Sequence, residues 1–408
     1  MTYEEATAWL FQQLPMFQRD GPAAYKANLD GTMYVLEKMG RPDLHLDGVI
    51  HVAGTNGKGS VCTAVSNALV ETGYRVALFT SPHLTDFRER MRVCGEMPSQ
   101  NWVADRVSHF KNELPSWSYQ PSFFEWTFGL ALLWFVEEQV DVVVLETGMG
   151  GRLDSTNVFE APLVTAVTNI GLDHQQFLGD DIRSIALEKA GILKDGVPVV
   201  LGRMRPEAQS VILAAAMRTG SEVYYAAPAK RASIEFGPYW PENEATAMKI
   251  LEVLSNQPGW RDWQPPANAH ATGLNGRWEW MPDLSSGARL LIDCAHNLDG
   301  IERLAAAIGS INRNRLLLVF GTVGDKDMSK IWPLLPPGAE YFFCAADIPR
   351  ALDAIELCGQ AQRIGLEGSA FLSVPDALNA ACDAAGPNDL IVVLGSIYIA
   401  AEALQAAQ

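Results

Sequence analysis

Short apolar runs rich in β-branched residues alternate with longer stretches of helical periodicity from one end of the chain to the other. Runs that are apolar at every position suit strands buried on both faces of a parallel sheet, and their alternation with helices is the signature of α/β domains. Residues 1–46 read as helical, with a loop around 19–21. Residues 48–52 (GVIHV) form a strand that enters a glycine-rich turn, followed by a helix over about 60–72 and a strand at 75–79. The runs 141–145 (DVVVL) and 163–168 (LVTAVT) predict two more buried parallel strands. Helices are predicted over 123–139, 184–192, 206–219 and 244–254.

Residues 256–275 break the pattern: they are rich in Pro, Trp, Asn and Gly, show no periodicity, and are read as an interdomain linker. A second strand–helix series follows, with strands expected at 290–293, 316–320, 341–344 and 390–394. The expected organisation is an N-terminal, nucleotide-binding α/β domain over 1–270 with a parallel-rich sheet, and a smaller Rossmann-like α/β domain over 271–408.

The chain has 408 residues, 48% of them hydrophobic, which is enough to give two domains a core each. Its formal net charge of −17 argues against a nucleic-acid partner, whose phosphates need a basic surface, but not against a nucleotide held by a local nest of N–H groups. The six cysteines, Cys62, Cys94, Cys294, Cys344, Cys358 and Cys382, are scattered without a CxxC pair and read as free thiols of a reducing compartment. The first residues carry acid where a secretory leader is basic, and no apolar run approaches the ~20 residues of a membrane span. A soluble, cytoplasmic monomer without a membrane partner is expected.

The strongest local signal is His51-Val52-Ala53-Gly54-Thr55-Asn56-Gly57-Lys58-Gly59-Ser60, between a predicted strand and a predicted helix. Glycines let backbone N–H groups turn inward around phosphate oxygens, the helix N-terminus adds its dipole, and Lys58 supplies a point charge for the β- and γ-phosphates. The match to GxxxxGK[ST] is imperfect. Val52 stands where the first glycine would be, Gly59 replaces the metal-binding hydroxyl residue, and Ser60 comes one position late.

The GTNGKGS loop resembles that of the ATP-dependent ligases that include the muramyl-peptide ligases and the folylpolyglutamate synthases. Other motifs narrow the resemblance to the folate branch. They are Thr80-Ser81-Pro82-His83-Leu84 with Glu89-Arg90-Met91, the loop Glu146-Thr147-Gly148-Met149-Gly150-Gly151-Arg152-Leu153-Asp154-Ser155-Thr156-Asn157, and Thr168-Asn169-Ile170-Gly171-Leu172-Asp173-His174. Glu188-Lys189-Ala190-Gly191-Ile192, Gly276-Arg277-Trp278, Asp293-Cys294-Ala295-His296-Asn297, Gly321 to Asp327 and Gly395-Ser396-Ile397-Tyr398 complete the set, in order along nearly the whole chain. The resemblance implies a P-loop-containing, Mur-ligase-like domain followed by a Rossmann-like one.

It also implies a function: a bifunctional dihydrofolate synthase/folylpolyglutamate synthase that joins L-glutamate to dihydropteroate and to reduced folates. ATP would activate the carboxylate as an acyl phosphate, which the amine of glutamate then attacks. Such chemistry must hold two anions together, neutralise developing charge and exclude water. By resemblance Gly54, Thr55, Asn56, Gly57, Lys58, Gly59 and Ser60 bind ATP, joined by Arg277, Asp293 and His296 from the second domain. Ser81, Glu146 and His174 are the implied Mg²⁺ ligands, with two ions expected. Lys58, Lys189 and His174 are the implied catalytic residues, Lys189 as a carbamate. Position alone supports part of this, because Glu146 ends an apolar strand, where ligands gather in parallel sheets and where a carboxylate suits a hard cation.

For the substrate, Ser122-Phe123-Phe124-Glu125 resembles the family's S/T-x-F-E segment. Phe124 offers a face for a flat ring, and Asp154 offers acceptors for a pterin's N–H groups. Ser155, also assigned to the substrate, replaces the family's usual alanine, and the segment 221–243 is short for the family; both bear on whether one or both activities are present. The alternative is a monofunctional member of the family, or another Mur-type ATP-dependent amide ligase. A muramyl-peptide ligase would need a further domain ahead of the loop, and about 50 residues are too few for one. A catalytically dead regulator would lack part of the Lys58, Glu146, His174 and Lys189 set, all of which are present.

Overall fold

A computed structural model describes residues 1–16, 28–227, 236–260, 263–282 and 284–407. The loop expected around 19–21, and part of the short segment 221–243, lie outside the described residues. The chain divides into two compact units, one formed by Met1–Arg231 with Pro241–Leu274, the other by Ala232–Trp240 with Asn275–Gln408.

Among the described residues the first unit holds seven strands: β1 Val49–Ala53, β2 Val76–Phe79, β3 Met91–Val93, β4 Val142–Glu146, β5 Val164–Val167, β6 Val199–Leu201 and β7 Val223–Tyr225. Their order is β3-β2-β4-β1-β5-β6-β7, all parallel except the β2–β3 pair. β1 sits between β4 and β5: the chain leaves β1 for β2 on the β4 side, and the connection from β4 to β5 crosses to the other side. This is the switch point at whose carboxyl end ligands bind in open α/β sheets. The register pairs Val52 with Glu146 and Ala53 with Val167. The residues that follow these three strands therefore share one rim.

Helices cover both faces. The helix Phe123–Glu137 is buried nearly all round, as its continuous apolar sequence requires, and its Phe128 and Phe135 are fully inaccessible. Each such ring contributes about 1.5–3 kcal/mol relative to an exposed one. On the other face, Ile182–Ala190 and Pro206–Thr219 pack Ile185, Ala186 and Ile212 against Val167, Val199 and Leu201.

The stretch read as a linker has no helix or strand over residues 263–275, yet up to Leu274 it belongs to the first unit. Trp260 stacks on Tyr74 with ring centroids 4.6 Å apart, the Asn67 amide donates to His270 O, and Arg92 Nη1 donates to Gly273 O. Aromatic and amide anchors of this kind leave no periodic trace, which is why the sequence reads there as a linker.

The second unit holds β8 Glu279–Trp280, β9 Arg289–Ile292, β10 Leu316–Phe320, β11 Glu340–Cys344, β12 Gly368–Phe371 and β13 Leu390–Leu394, in the order β12-β11-β10-β13-β9-β8. β8–β9 is antiparallel and the other pairs of these strands are parallel. The α/β class and parallel-rich sheets agree with the sequence reading. All six cysteines are free, and among the described residues no helix is long and apolar enough to cross a membrane.

Candidate active site

The phosphate loop leaves β1 at Gly54 and enters the helix Lys58–Glu71 through Gly57, its N-cap. Both glycines are required. A Cβ on Gly54 would lie 1.9 Å from Thr168 Oγ1, and Gly57 has φ +82°, with any Cβ 2.2 Å from Asn243 Oδ1.

The loop is braced from the end of β5. Thr55 N donates to Asn169 O (3.0 Å), Asn56 N to Asn169 Oδ1 (2.8 Å), and Thr168 Oγ1 to Asn56 O (2.6 Å). Gly171 N donates to Thr55 Oγ1 at 3.0 Å. Thr168 and Asn169 are thus loop-shaping residues to which sequence reasoning assigned no role. Their signal in the sequence is a polar Thr-Asn pair directly after an apolar strand, at the head of the motif Thr168 to His174.

Four of the expected residues meet at this rim. Lys58 Nζ lies 3.9 Å from Glu146 Oε1, and Ser81 N donates to Glu146 Oε2 at 2.9 Å. The absent side chain of Gly59 makes room for this carboxylate, because a Cβ there would sit 3.3 Å from Glu146 Oε2. Lys189, buried on Ile182–Ala190, donates to Gly54 O at 2.7 Å. Burial, assisted by the charge of Lys58, pulls the Lys189 ammonium down to about 7, while Asp173 and Asp154 oppose the shift. His174 N-caps the short helix Gln175–Leu178 with φ +50°, and its Nε2 is 3.9 Å from Asp173 Oδ2.

Two of the substrate candidates, Phe124 and Asp154, meet at Gly148. A Cβ on that glycine would be 2.5 Å from Phe124 Cζ and 3.2 Å from Asp154 Oδ2, so the bare backbone lets ring and carboxylate approach. Phe124 also meets Phe79 edge-on at 5.8 Å. Asp154 is buried and accepts from Met149 N (2.8 Å), Thr156 N (3.0 Å) and Thr156 Oγ1 (2.6 Å). Burial pushes its carboxyl up despite these donors. Ser122 is the N-cap of Phe123–Glu137 in a reciprocal capping box with Glu125, so its hydroxyl serves the helix. Ser155 Oγ accepts from Thr32 Oγ1 at 2.9 Å, in a buried pair that ties Asp30–Lys38 to the loop.

In the second unit, Arg277, Asp293 and His296 lie together at the end of β9. Asp293 is buried and accepts from Trp278 N and Ala295 N, both at 2.8 Å. Burial raises its carboxyl, and Arg277 acts against the shift. Arg277 contacts Cys294 Sγ, and His296 Nδ1 is 2.9 Å from Cys294 O. Asn297 caps the helix Leu298–Gly309 that follows.

Over 97% of its length the chain is 31% identical to the dihydrofolate synthase/folylpolyglutamate synthase of Bacillus subtilis, and it covers 97% of that protein. The chain belongs to the folylpolyglutamate synthase/dihydrofolate synthase family. Residues 276–397 also match the family described as Mur ligase, glutamate ligase domain, which places this folylpolyglutamate synthase/dihydrofolate synthase family member in the Mur ligase superfamily.

Two solved structures show the same fold. The Escherichia coli FolC in complex with DHPP and ADP matches with a TM-score of 0.84 at 28% identity, over 99% of this chain and 97% of that one. A bifunctional folylpolyglutamate synthase/dihydrofolate synthase with Mn, AMPPNP and L-glutamate bound matches with a TM-score of 0.80 at 26% identity, over 100% of this chain and 98% of that one. As a member of this family the protein is a ligase.

Proposed function

We propose that the protein catalyses ATP-dependent ligation of L-glutamate both to dihydropteroate and to the γ-carboxylate of reduced folyl glutamates, through an acyl phosphate. The observation that carries this reading is the convergence of Lys58, Ser81, Glu146 and Lys189 on the phosphate loop. The nucleotides, DHPP and glutamate named for the similar structures support it.

In this reading the loop N–H groups from Gly54 to Ser60 cradle the phosphates, and Lys58 follows the charge that grows on the transferred phosphoryl group. Arg277, Asp293 and His296 are proposed as ATP ligands from the second unit. Mg²⁺, when bound, would supply positive charge to the phosphate oxygens. Ser81, Glu146 and His174 are proposed to hold it, and the Glu146 carboxylate and Ser81 hydroxyl are the hard oxygen donors it prefers. Among the described residues no three His, Cys, Asp or Glu side chains gather into a metal cage.

Lys189 is proposed to act as a carbamate. Its buried amine, pulled down to about 7, is neutral in good part at physiological pH and free to add to CO₂ with loss of a proton. The resulting anion would stand beside the loop in place of the amine. Phe124 is proposed to stack on the pterin, and Asp154 to accept its N–H groups. Ser122 and Ser155, whose hydroxyls are engaged within the protein, are proposed to shape the pocket.

ATP-dependent incorporation of labelled glutamate, run in parallel with 7,8-dihydropteroate and tetrahydrofolate, tests the function. Incorporation with both is expected; with one only, the protein is monofunctional; with neither, the ligase reading fails. Ser155→Ala is expected to strand the Thr32 hydroxyl and destabilise the protein by about 1–3 kcal/mol, while the KM for the pterin substrate changes less than about twofold. Thermal melts and steady-state kinetics check the two halves; a large KM change at constant stability would return Ser155 to direct substrate contact.

A further inference from the structure

His51 is fully buried in β1, three residues ahead of Gly54, and has no part in the chemistry above. Its Nε2 lies 2.8 Å from Thr156 Oγ1, which lies 2.6 Å from Asp154 Oδ1. The Thr156 hydroxyl donates to Asp154 Oδ1, and with its one proton so used its oxygen is left to accept from His51. The imidazole must therefore carry its proton on Nε2. It does so as a neutral ring, because burial, with the charge of Lys194 adding to it, pulls His51 down to about 3. The direction of the relay is thus fixed: His51 Nε2–H to Thr156, Thr156 O–H to Asp154. Thr156 N and Met149 N complete the hold on the carboxylate.

We propose that His51 is a positioning residue for the pterin-bearing substrate, acting through Thr156 to fix the orientation of the Asp154 carboxylate. The proposal rests on the substrate role given to Asp154 above. Its physical content is rotational. A threonine hydroxyl can swing among three staggered positions. With a donor held against its oxygen from behind, only one position both accepts from His51 and donates to Asp154. Without that donor the hydroxyl is free to turn away, and the carboxylate loses its shortest hydrogen bond. The strand that leads into the phosphate loop and the loop that meets the substrate thereby share one hydrogen-bonded strut. The relay also gives a buried histidine in a parallel sheet a purpose that packing alone would assign to an apolar residue.

The test uses the full-length enzyme and three variants. His51→Ala is expected to raise the KM for dihydropteroate or tetrahydrofolate about tenfold, with kcat within about threefold and the KM for ATP unchanged. His51→Gln, whose side-chain N–H can donate to the same hydroxyl, should recover most of that loss. Thr156→Val removes the hydroxyl at nearly constant volume and should reproduce the KM rise, which keeps the test open if His51→Ala folds poorly. A purely packing role predicts the opposite pattern: a lower Tm, equal changes in both KM values, and no recovery with glutamine. That pattern would overturn the proposal.

¹⁵N NMR of the histidine-labelled wild-type enzyme provides a readout independent of activity. A neutral His51 protonated at Nε2, whose signal moves in Thr156→Val, is expected, and an Nδ1-protonated ring overturns the relay. If wild-type protein incorporates glutamate into neither substrate, the ligase reading fails, while the NMR result still decides the relay.

Discussion

Lys58→Ala is expected to lower kcat by about 10²- to 10³-fold at saturating ATP, the usual consequence of removing one preorganised donor from developing transition-state charge. Lys58 is the first residue of its helix, so its ammonium sits beside the N-terminal N–H groups proposed to hold phosphate. Its partners in the protein are the Thr55 carbonyl at 3.4 Å and Glu146 at 3.9 Å, neither a tight ion pair. A loosely held cation is free to follow the phosphoryl group as its charge shifts. Glutamate-dependent ADP release, measured on a variant whose thermal melt matches wild type, checks this. Turnover within threefold of wild type would remove Lys58 from the phosphate-binding role.

Lys189→Met is expected to lower turnover about 10²-fold or more, because both the buried amine and any carbamate built on it disappear. It should also change the pH dependence of stability in a defined direction. The native amine titrates at about 7 because burial disfavours its charge. An unfolded lysine titrates near its ordinary value of about 10.4. Between these values the unfolded chain binds more protons, so wild-type stability should rise with pH from about 7 to about 10. Below 7 both states are charged, and the burial cost is felt in full. The methionine variant should lack this rise and be relatively most stabilised at low pH. Denaturant melts from pH 6 to pH 10 in CO₂-free buffer compare the two proteins. Parallel pH curves would mean that Lys189 titrates normally and would undercut the carbamate proposal.

The strands that build the site were legible because buried parallel strands are apolar at every position. β1, β4, β5, β10 and β13 all fall within about a residue of the runs that announce them. The short edge strands β3, β8 and β12 were not. They carry only two to four residues, and Met91–Val93 is interrupted by Arg92 while Gly368–Phe371 is largely exposed. Their pairing is supplied by a neighbouring strand already in place, so they need little pattern of their own. Helix Gln100–Glu113 was missed for a related reason: its sequence is predominantly polar, and only Val103, Ala104, Val107 and Phe110 are buried.

Residue identity and spacing by themselves determined the α/β class and pointed to a phosphate loop and a strand-end carboxylate, while the rest of the candidate set at the rim came from the resemblance of its motifs to a known family. Each of these is local: a glycine that must turn, a lysine that opens a helix, an acid that closes a strand. Only the tertiary structure decided what those side chains are already bonded to. It gave the Ser122 hydroxyl to a helix cap, Ser155 to Thr32, Asp154 to its own loop, and His51 to a relay whose members are 105 residues apart in sequence. It also set Lys189 against the Gly54 carbonyl, 135 residues away, and so gave an ordinary-looking helix lysine an amine that titrates near neutrality. Such assignments depend on burial and on long-range partners. Both are created only when the sheet register brings β1, β4 and β5 level, and no pattern along the chain encodes them.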